Sequence, residues 1–147
     1  MKQVKKLSKS LFDSNTKFVS IGTLDEDKIA FISDIDPEIA TYLHPNSDIL
    51  FWENRIKHTE RHKDDFSSDA LFDSCFEDIP SIIESPDYIG VHPKDNSLLF
   101  IKDYSQHISV AIRVSTDGKI GYRTMFPLME AQLDSYIKKK RVKKFNA

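Results

Sequence analysis

One short segment carries the residues whose types and spacing could do chemistry. From Asn54 to His62 it reads Asn-Arg-Ile-Lys-His-Thr-Glu-Arg-His. The spacing predicts a helix on which His58 and His62 lie one turn apart, with Arg61 three residues after His58. Two imidazoles that titrate near neutral pH beside a permanent cation can cleave a phosphodiester without a metal. We therefore predict His58, Arg61 and His62 as catalytic residues.

Two other interpretations of the histidine pair remain open. Paired histidines on a charged helix also occur as surface or structural residues. Their i, i+4 spacing is also that of zinc ligands. The zinc-protease signature, however, has Glu directly after the first His, whereas here that position is Thr59 and Glu60 comes one place late. The sequence therefore favours a site without metal or cofactor, and a packing role for the histidines is the alternative.

Several other reaction classes are disfavoured by missing motifs. The four glycines, at 22, 90, 118 and 121, form no phosphate-binding loop, and no Gly-x-Ser-x-Gly elbow is present. The single cysteine, Cys75, excludes an internal disulfide and a cysteine-based zinc site. It precedes Phe76 in an apolar stretch, so we expect it to be buried.

The composition predicts a soluble single domain of 147 residues, with 39% hydrophobic and 30% charged residues. A net charge of -2 argues against a protein that coats nucleic acid without specificity. Both ends are basic, which indicates either solvated tails or an electrostatic guide for a polyanion. We find neither a signal peptide nor a membrane span and expect a cytoplasmic protein. The predicted parts are a basic segment 1–16, lead-in strands and a short helix 17–53, a core 54–141 and a basic tail 142–147.

The elements that position the histidines follow from hydrophobic periodicity. Residues 17–23 and Lys28–Ser33 predict a β-hairpin, and Asp36-Pro37 predicts the start of a short helix. Asp48–Trp52 predicts a strand that leads directly into the His58 helix. Two more helical stretches follow: one is capped by Ser67 or Ser68 and has Leu71, Phe72, Cys75 and Phe76 on its apolar face, and the other spans Ile79–Glu84.

The second half of the chain predicts an antiparallel meander and a last helix. The four strand-like runs are Asp87–Val91, Leu98–Lys102, Ile108–Val114 and Lys119–Phe126, with turns at Asn96 and at Asp117-Gly118. An amphipathic helix at 128–141 would bury Met129, Leu133, Tyr136 and Ile137. The predicted fold is α+β: an N-terminal β-hairpin and helices, then a four-stranded antiparallel sheet and a C-terminal helix.

The sheet offers further candidate residues. Alternation places Tyr122, Thr124 and Phe126 on one face of the last strand, with Arg123 on the other face. Thr124 could donate to a phosphate oxygen, and Tyr122 could do the same or stack on a base. On the preceding strand Arg113 shares a polar face with Ser109. That face is either solvent-exposed or the floor of an active site.

An ordered set of motifs resembles the small nucleases grouped as phage-barnase-EndoU-colicin E5/D-RelE-like domains. The set runs from 48 to 141. Its members are Lys57-His58-Thr59-Glu60-Arg61-His62, Ile79-Pro80-Ser81-Ile82-Ile83, Ser85-Pro86-Asp87-Tyr88-Ile89, Leu99-Phe100-Ile101-Lys102, the strand Ser109–Val114, and Tyr122-Arg123-Thr124-Met125-Phe126.

The resemblance implies a barnase/RelE-like fold and metal-independent cleavage of RNA, with tRNA as one candidate target, by a toxin or effector. Such a protein would have an antitoxin or immunity protein as its partner and would need no small-molecule cofactor. The residues implied by position are His58, Arg61, His62 and Thr124 for catalysis, and Lys102, Arg113, Tyr122 and Arg123 for substrate binding. The acidic balance of the chain, and Asp64-Asp65 just after the histidines, depart from the usual basic character of ribonucleases.

Overall fold

Seven extended segments join in one sheet in the computed structural model, which describes residues 2–145. The strands are β1 Phe18–Thr23, β2 Asp48–Trp52, β3 Tyr88–Val91, β4 Leu98–Asp103, β5 His107–Val114, β6 Ile120–Leu128 and β7 Val142–Lys144. Their order is β1-β2-β6-β5-β4-β3-β7, and these neighbours pair antiparallel except β2 with β6. The α+β class is confirmed. The sheet is larger than the four strands predicted, because other strands extend the meander β3–β6 on both sides.

The described residues also form six α-helices and two short 3₁₀ turns. The helices are α1 Glu26–Ile35, α2 Pro37–Ala40, α3 Arg55–Glu60, α4 Asp69–Glu77, α5 Ile79–Glu84 and α6 Glu130–Lys138; the 3₁₀ turns are Lys9–Leu11 and Lys63–Asp65. As predicted, the Asp36 carboxylate caps α2 by accepting from the amide of Ile39 at 3.1 Å. Ser68 caps α4, its hydroxyl accepting from the amide of Leu71 at 3.0 Å.

The predicted hairpin is wrong in its second arm, because Lys28–Ser33 lies within helix α1. The carboxylate of Asp25 accepts a hydrogen bond from the amide of Lys28 at 2.8 Å and so caps the helix. Lys28, Ile32 and Ile35 are buried at the spacing of a helix face. β1 pairs with β2 instead, so that Phe18 lies opposite Trp52.

The two faces of the sheet differ in their cover. On one, here called the helix face, Ile108, Val110 and Ile112 of β5 are fully buried in the main apolar core, which includes residues of α1, α4 and α5. The opposite face, here called the second face, bears the alternate residues of β5, including Ala111 and Arg113. Cys75 of α4 is fully buried in the core, as predicted, and burial raises the pKa of its thiol to about 12.

Helix α6 covers part of the second face. Leu133 packs in a small cluster with Leu99 and Ala111 of the sheet, and Tyr136 lies against it. The predicted apolar stripe is too wide: Met129 is 71% exposed and Ile137 is 40% exposed. Met129 precedes the helix, because Leu128 is still part of β6, and only the Leu133–Tyr136 side of the helix meets the sheet.

The start of α6 is tied to the sheet through a histidine. His107, at the beginning of β5, has Nδ1 2.5 Å from a carboxylate oxygen of Asp103 and Nε2 2.5 Å from one of Glu130. Burial opposes protonation of this imidazole, but the two carboxylates outweigh it and raise the pKa of His107 above its ordinary value.

Both basic ends of the chain pack against the fold. Leu7 is fully buried, and Lys6 and Lys9 make ion pairs with Asp78 and Glu60 at 2.6 and 2.7 Å. Residues 142–144, predicted as part of a basic tail, form β7 at the edge of the sheet. The remainder of that predicted tail includes residues 146 and 147, which lie outside the described residues. Among residues 2–145, no helix is long and apolar enough to cross a membrane.

Candidate active site around helix α3

Helix α3 is fixed to β6 by a buried hydroxyl pair. The hydroxyls of Thr59 and Tyr122 lie 2.6 Å apart, and Thr59 donates to the carbonyl of Arg55 at 2.8 Å. Because Thr59 has only one proton, the Tyr122 hydroxyl is the donor between the two. Burial raises the pKa of Tyr122, which therefore stays neutral. Tyr122 is only 4% exposed, so it supports the helix and does not offer a ring for stacking.

The two histidines lie side by side, although the helix is shorter than predicted. It ends at Glu60, so Arg61 is the C-cap and His62 follows it. The imidazole centroids of His58 and His62 are 6.0 Å apart, and the ring of His62 is 6.4 Å from that of Phe126 on β6. Both histidines are half-buried. The predicted pair therefore forms one cluster next to the last strand of the meander.

The surroundings of the histidines are cationic. Burial lowers the pKa of His58 below its ordinary value, and four charged neighbours lower it further: Arg55, His62, Arg61 and Arg123. Burial also lowers the pKa of Arg55; Tyr122 opposes this, and Arg123, Arg113 and Arg61 add to it. The predicted residues Arg61, Arg113 and Arg123 are thus close enough to Arg55 to repel it. Such a group of like charges is suited to bind an anion.

Two residues of the cluster were missed from the sequence. Arg55 donates from Nε to the backbone carbonyl of Arg123 at 2.9 Å and so joins the start of α3 to β6. A carboxylate oxygen of Asp65 lies 3.3 Å from Nδ1 of His62 and can orient that ring. Arg55 comes three residues before His58 and seven before His62, a spacing that could have revealed it as part of the same helix face.

A β-bulge at Arg123 changes the faces of β6. Ala111 pairs with Thr124, but its neighbour Ile112 pairs with Tyr122, so Arg123 is an extra residue between them. The prediction that Tyr122 and Thr124 share a face is therefore wrong. Tyr122 points to the helix face with the core, whereas Thr124 lies on the second face opposite Ala111.

Two hydroxyls on the second face have no partner. The side-chain oxygens of Ser109 and Thr124 are buried without a hydrogen bond among the described residues. Ser109 pairs with Phe126, two residues along the strand from Thr124, so the two hydroxyls are diagonal neighbours on one face. Buried polar groups nearly always have partners, and an exception in a cationic region is explained when a ligand supplies the missing bond. Reaching Thr124 requires the side chains above it to shift.

The exposed guanidinium groups border a pocket of about 400 Å³ on the same side. Arg123 donates from Nη1 to Asp95 at 2.5 Å and to Ser97 at 3.2 Å, which holds it across the second face. Arg113 lines the same pocket and is exposed. The structure therefore brings Arg113 and Arg123 together beside the histidine cluster.

Lys102 is the predicted site residue that lies elsewhere. Its ammonium group donates to the carbonyl of Ser85 at 2.9 Å. Because Ile101 packs under α6 on the second face, Lys102 points to the helix face, away from Thr124. The remaining predicted residues gather around β6, with Tyr122 on the core side.

The comparisons with known proteins agree with this geometry. The family model of phage-Barnase-EndoU-ColicinE5/D-RelE like nuclease3 (PBECR3) matches residues 29–135, which is more than half of the 147-residue chain. The matched segment contains α3 and all of β3 to β6. No curated protein and no solved structure matches the chain.

Proposed function

Because the chain belongs to this family of barnase-, EndoU-, colicin- and RelE-like nucleases, we propose that it is an endoribonuclease. In this proposal a 2′-hydroxyl of the RNA attacks the adjacent phosphorus and the bond to the 5′-oxygen breaks. The products are a 2′,3′-cyclic phosphate and a free 5′-hydroxyl. The observation that carries the proposal is the pair of imidazoles, 6.0 Å apart, surrounded by arginines.

The two histidines divide the proton transfers. A base must remove the 2′-hydroxyl proton, and an acid must protonate the departing 5′-oxygen. His58 suits the base, since burial and cationic neighbours keep its pKa low and its ring neutral at pH 7. His62 is then the acid, with Asp65 holding the Nδ1 side so that Nε2 is available to the leaving oxygen.

The arginines stabilise the negative charge that develops on the phosphate. Guanidinium groups match phosphate oxygens with paired hydrogen bonds, and they act most strongly where water is excluded. Arg61 stands directly before His62 and is exposed, so it is free to turn toward the phosphate. Arg55 is already bound to the backbone of β6 and acts by positioning α3. Once uncovered, the unpartnered hydroxyl of Thr124 can donate to a phosphate oxygen.

The biological role that fits this chemistry is that of a toxin or effector of a phage or mobile element, acting on RNA in the cytoplasm. A tRNA is a suitable target, because the cationic cluster is small while the chain as a whole is slightly acidic. An antitoxin or immunity protein would inhibit it by placing acidic side chains against the arginines.

The test is an RNA-cleavage assay on purified protein in the presence of EDTA, with total tRNA and with a long RNA. We expect fragments that end in cyclic phosphate, and loss of at least a hundredfold in rate for His58→Ala and for His62→Ala. His44→Ala is the matched control, since His44 is exposed and lies beside Gly118 in the β5–β6 loop. Intact RNA, or equal cleavage by all three variants, would instead favour a protein-binding module without catalysis.

A further inference from the structure

An exposed pair of aromatic rings lies at the far edge of the second face. Trp52, at the end of β2, is 45% exposed, and its ring centroid is 4.5 Å from that of Phe18 on β1. Trp52 is one of three large hydrophobic side chains exposed among residues 2–145, and of these it alone belongs to the sheet. An exposed aromatic pair beside a cationic cluster calls for an explanation other than core packing.

The register of the strands places this pair on the same face as the arginines. Along β2, Ile49 and Phe51 are buried in the core of the helix face, so Leu50 and Trp52 point the other way. Leu50 pairs with Gly121 of β6, and Gly121 pairs with Arg113 of β5. Residues paired directly across strands share a face. The second face therefore presents, in order, the aromatic pair, Leu50, Gly121 and Arg113.

Backbone connection also keeps Trp52 near the catalytic helix. Arg55 starts α3 only three residues after Trp52, so their Cα atoms are at most about 11 Å apart. The side chain of Arg55 bonds to the carbonyl of Arg123 at the bulge of β6. The aromatic pair, the histidine helix and the arginines thus line one continuous stretch of surface.

We propose that Phe18 and Trp52 form a stacking platform for a nucleobase of single-stranded RNA, whose phosphates lie against the arginines. Every base has a flat π-face, and an aromatic side chain next to a positively charged groove is the arrangement by which proteins hold single strands. The glycine at 121 leaves the strand between the platform and Arg113 without a side chain. This inference rests on the proposed ribonuclease function, because it assigns to the RNA a base-binding subsite of that same site.

Trp52 is the single tryptophan of the chain, so its fluorescence reports on the platform directly. The ligand for the test is a mixed-sequence hexanucleotide with 2′-O-methyl riboses, which lacks the attacking hydroxyl. We expect this hexanucleotide to quench the fluorescence of the full chain. Inorganic tripolyphosphate, an anion without bases, should bind at the arginines and leave the emission unchanged. Equal quenching by both ligands, or by neither, would overturn the platform.

Variants then separate stacking from folding. By anisotropy of a labelled hexanucleotide, Trp52→Ala should bind about tenfold more weakly, which equals about 1.4 kcal/mol. Trp52→Phe should retain most of the affinity and Phe18→Ala should lose part of it. The matched control is Ile137→Ala, which removes an apolar side chain of similar exposure from α6. Unfolded Trp52→Ala protein, detected by circular dichroism, would leave Phe18→Ala and Trp52→Phe as the deciding pair.

The outcomes distinguish this inference from the proposed function. Cleavage by the wild type together with undiminished binding by Trp52→Ala would refute the platform and leave the ribonuclease intact. Stacking by Trp52 without cleavage would support the platform and refute catalysis. Loss of self-association in Trp52→Ala, with oligonucleotide binding unchanged, would show that a second copy of the chain covers the rings and would overturn the inference.

Discussion

The hydroxyl pair between α3 and β6 allows a sharp stability prediction. In Thr59→Val the Tyr122 hydroxyl loses its partner at 2.6 Å while remaining buried. A buried polar group left without a partner costs about 1–3 kcal/mol. In Tyr122→Phe, by contrast, Thr59 still donates to the carbonyl of Arg55, so the expected loss is about 0.5–1.5 kcal/mol.

The double variant gives the decisive comparison. Removing the tyrosine hydroxyl as well abolishes the unpaired group, so Thr59→Val/Tyr122→Phe should be more stable than Thr59→Val alone. The free energies of unfolding should therefore depart from additivity by about 0.5–3 kcal/mol. Against a typical total of about 5–15 kcal/mol, such a departure is readily measurable.

The assay is urea unfolding followed by the fluorescence of Trp52 for the wild type, both single variants and the double variant. Equal m-values across the set will show that the changes act on the folded state. Strict additivity, or a double variant less stable than Thr59→Val, would refute the statement that this bond fixes the catalytic helix to the sheet.

Three further predictions concern charge. Replacing Arg61 by Gln removes a cation that holds down the pKa of His58, so the acid limb of the pH–rate profile should move to higher pH; an unmoved limb would exclude His58 as the base. The pKa of His107 is raised on folding, so its contribution to stability is full below about 6.5 and is lost as pH rises through the raised value. His107→Gln should therefore flatten the urea midpoint over that range, and an unchanged slope would contradict the ion pairs. Arg113→Gln should lower the salt slope of RNA binding by about 0.7 per phosphate contact, whereas Lys102→Gln, on the helix face, should leave the slope unchanged.

Local sequence signals predicted much of the fold. The cap residues Asp36 and Ser68 and the apolar runs of the meander placed α2, α4 and β3–β6 to within a few residues, because these signals act between near neighbours. The hairpin failed where two local signals compete. Alternation at Lys28–Ser33 predicts a strand, but the cap at Asp25 and the buried spacing of Ile32 and Ile35 stabilise a helix once the core is present.

The candidate site was predictable in its helix and less so in its sheet. His58, Arg61 and His62 are close in sequence, so helical spacing alone brings them together. The contribution of β6 depends on its pairing with β5, and an extra residue in that pairing has no local signature in a strand of ordinary composition. Lys102 was assigned to the site by family position, but the alternation of β4 directs it to the other face.

The bulge at Arg123 makes the core and the site depend on a single residue count. Without that extra residue, regular alternation would place Tyr122 and Thr124 on the same side, so that either Thr59 would lose its partner or the second face would lose its hydroxyl. Deletion of Arg123 should therefore damage stability and activity together, whereas its replacement by another residue should keep both side chains in place. When sequences of relatives are aligned along this strand, a one-residue gap at 123 would mark chains in which helix α3 and the sheet must be joined in another way.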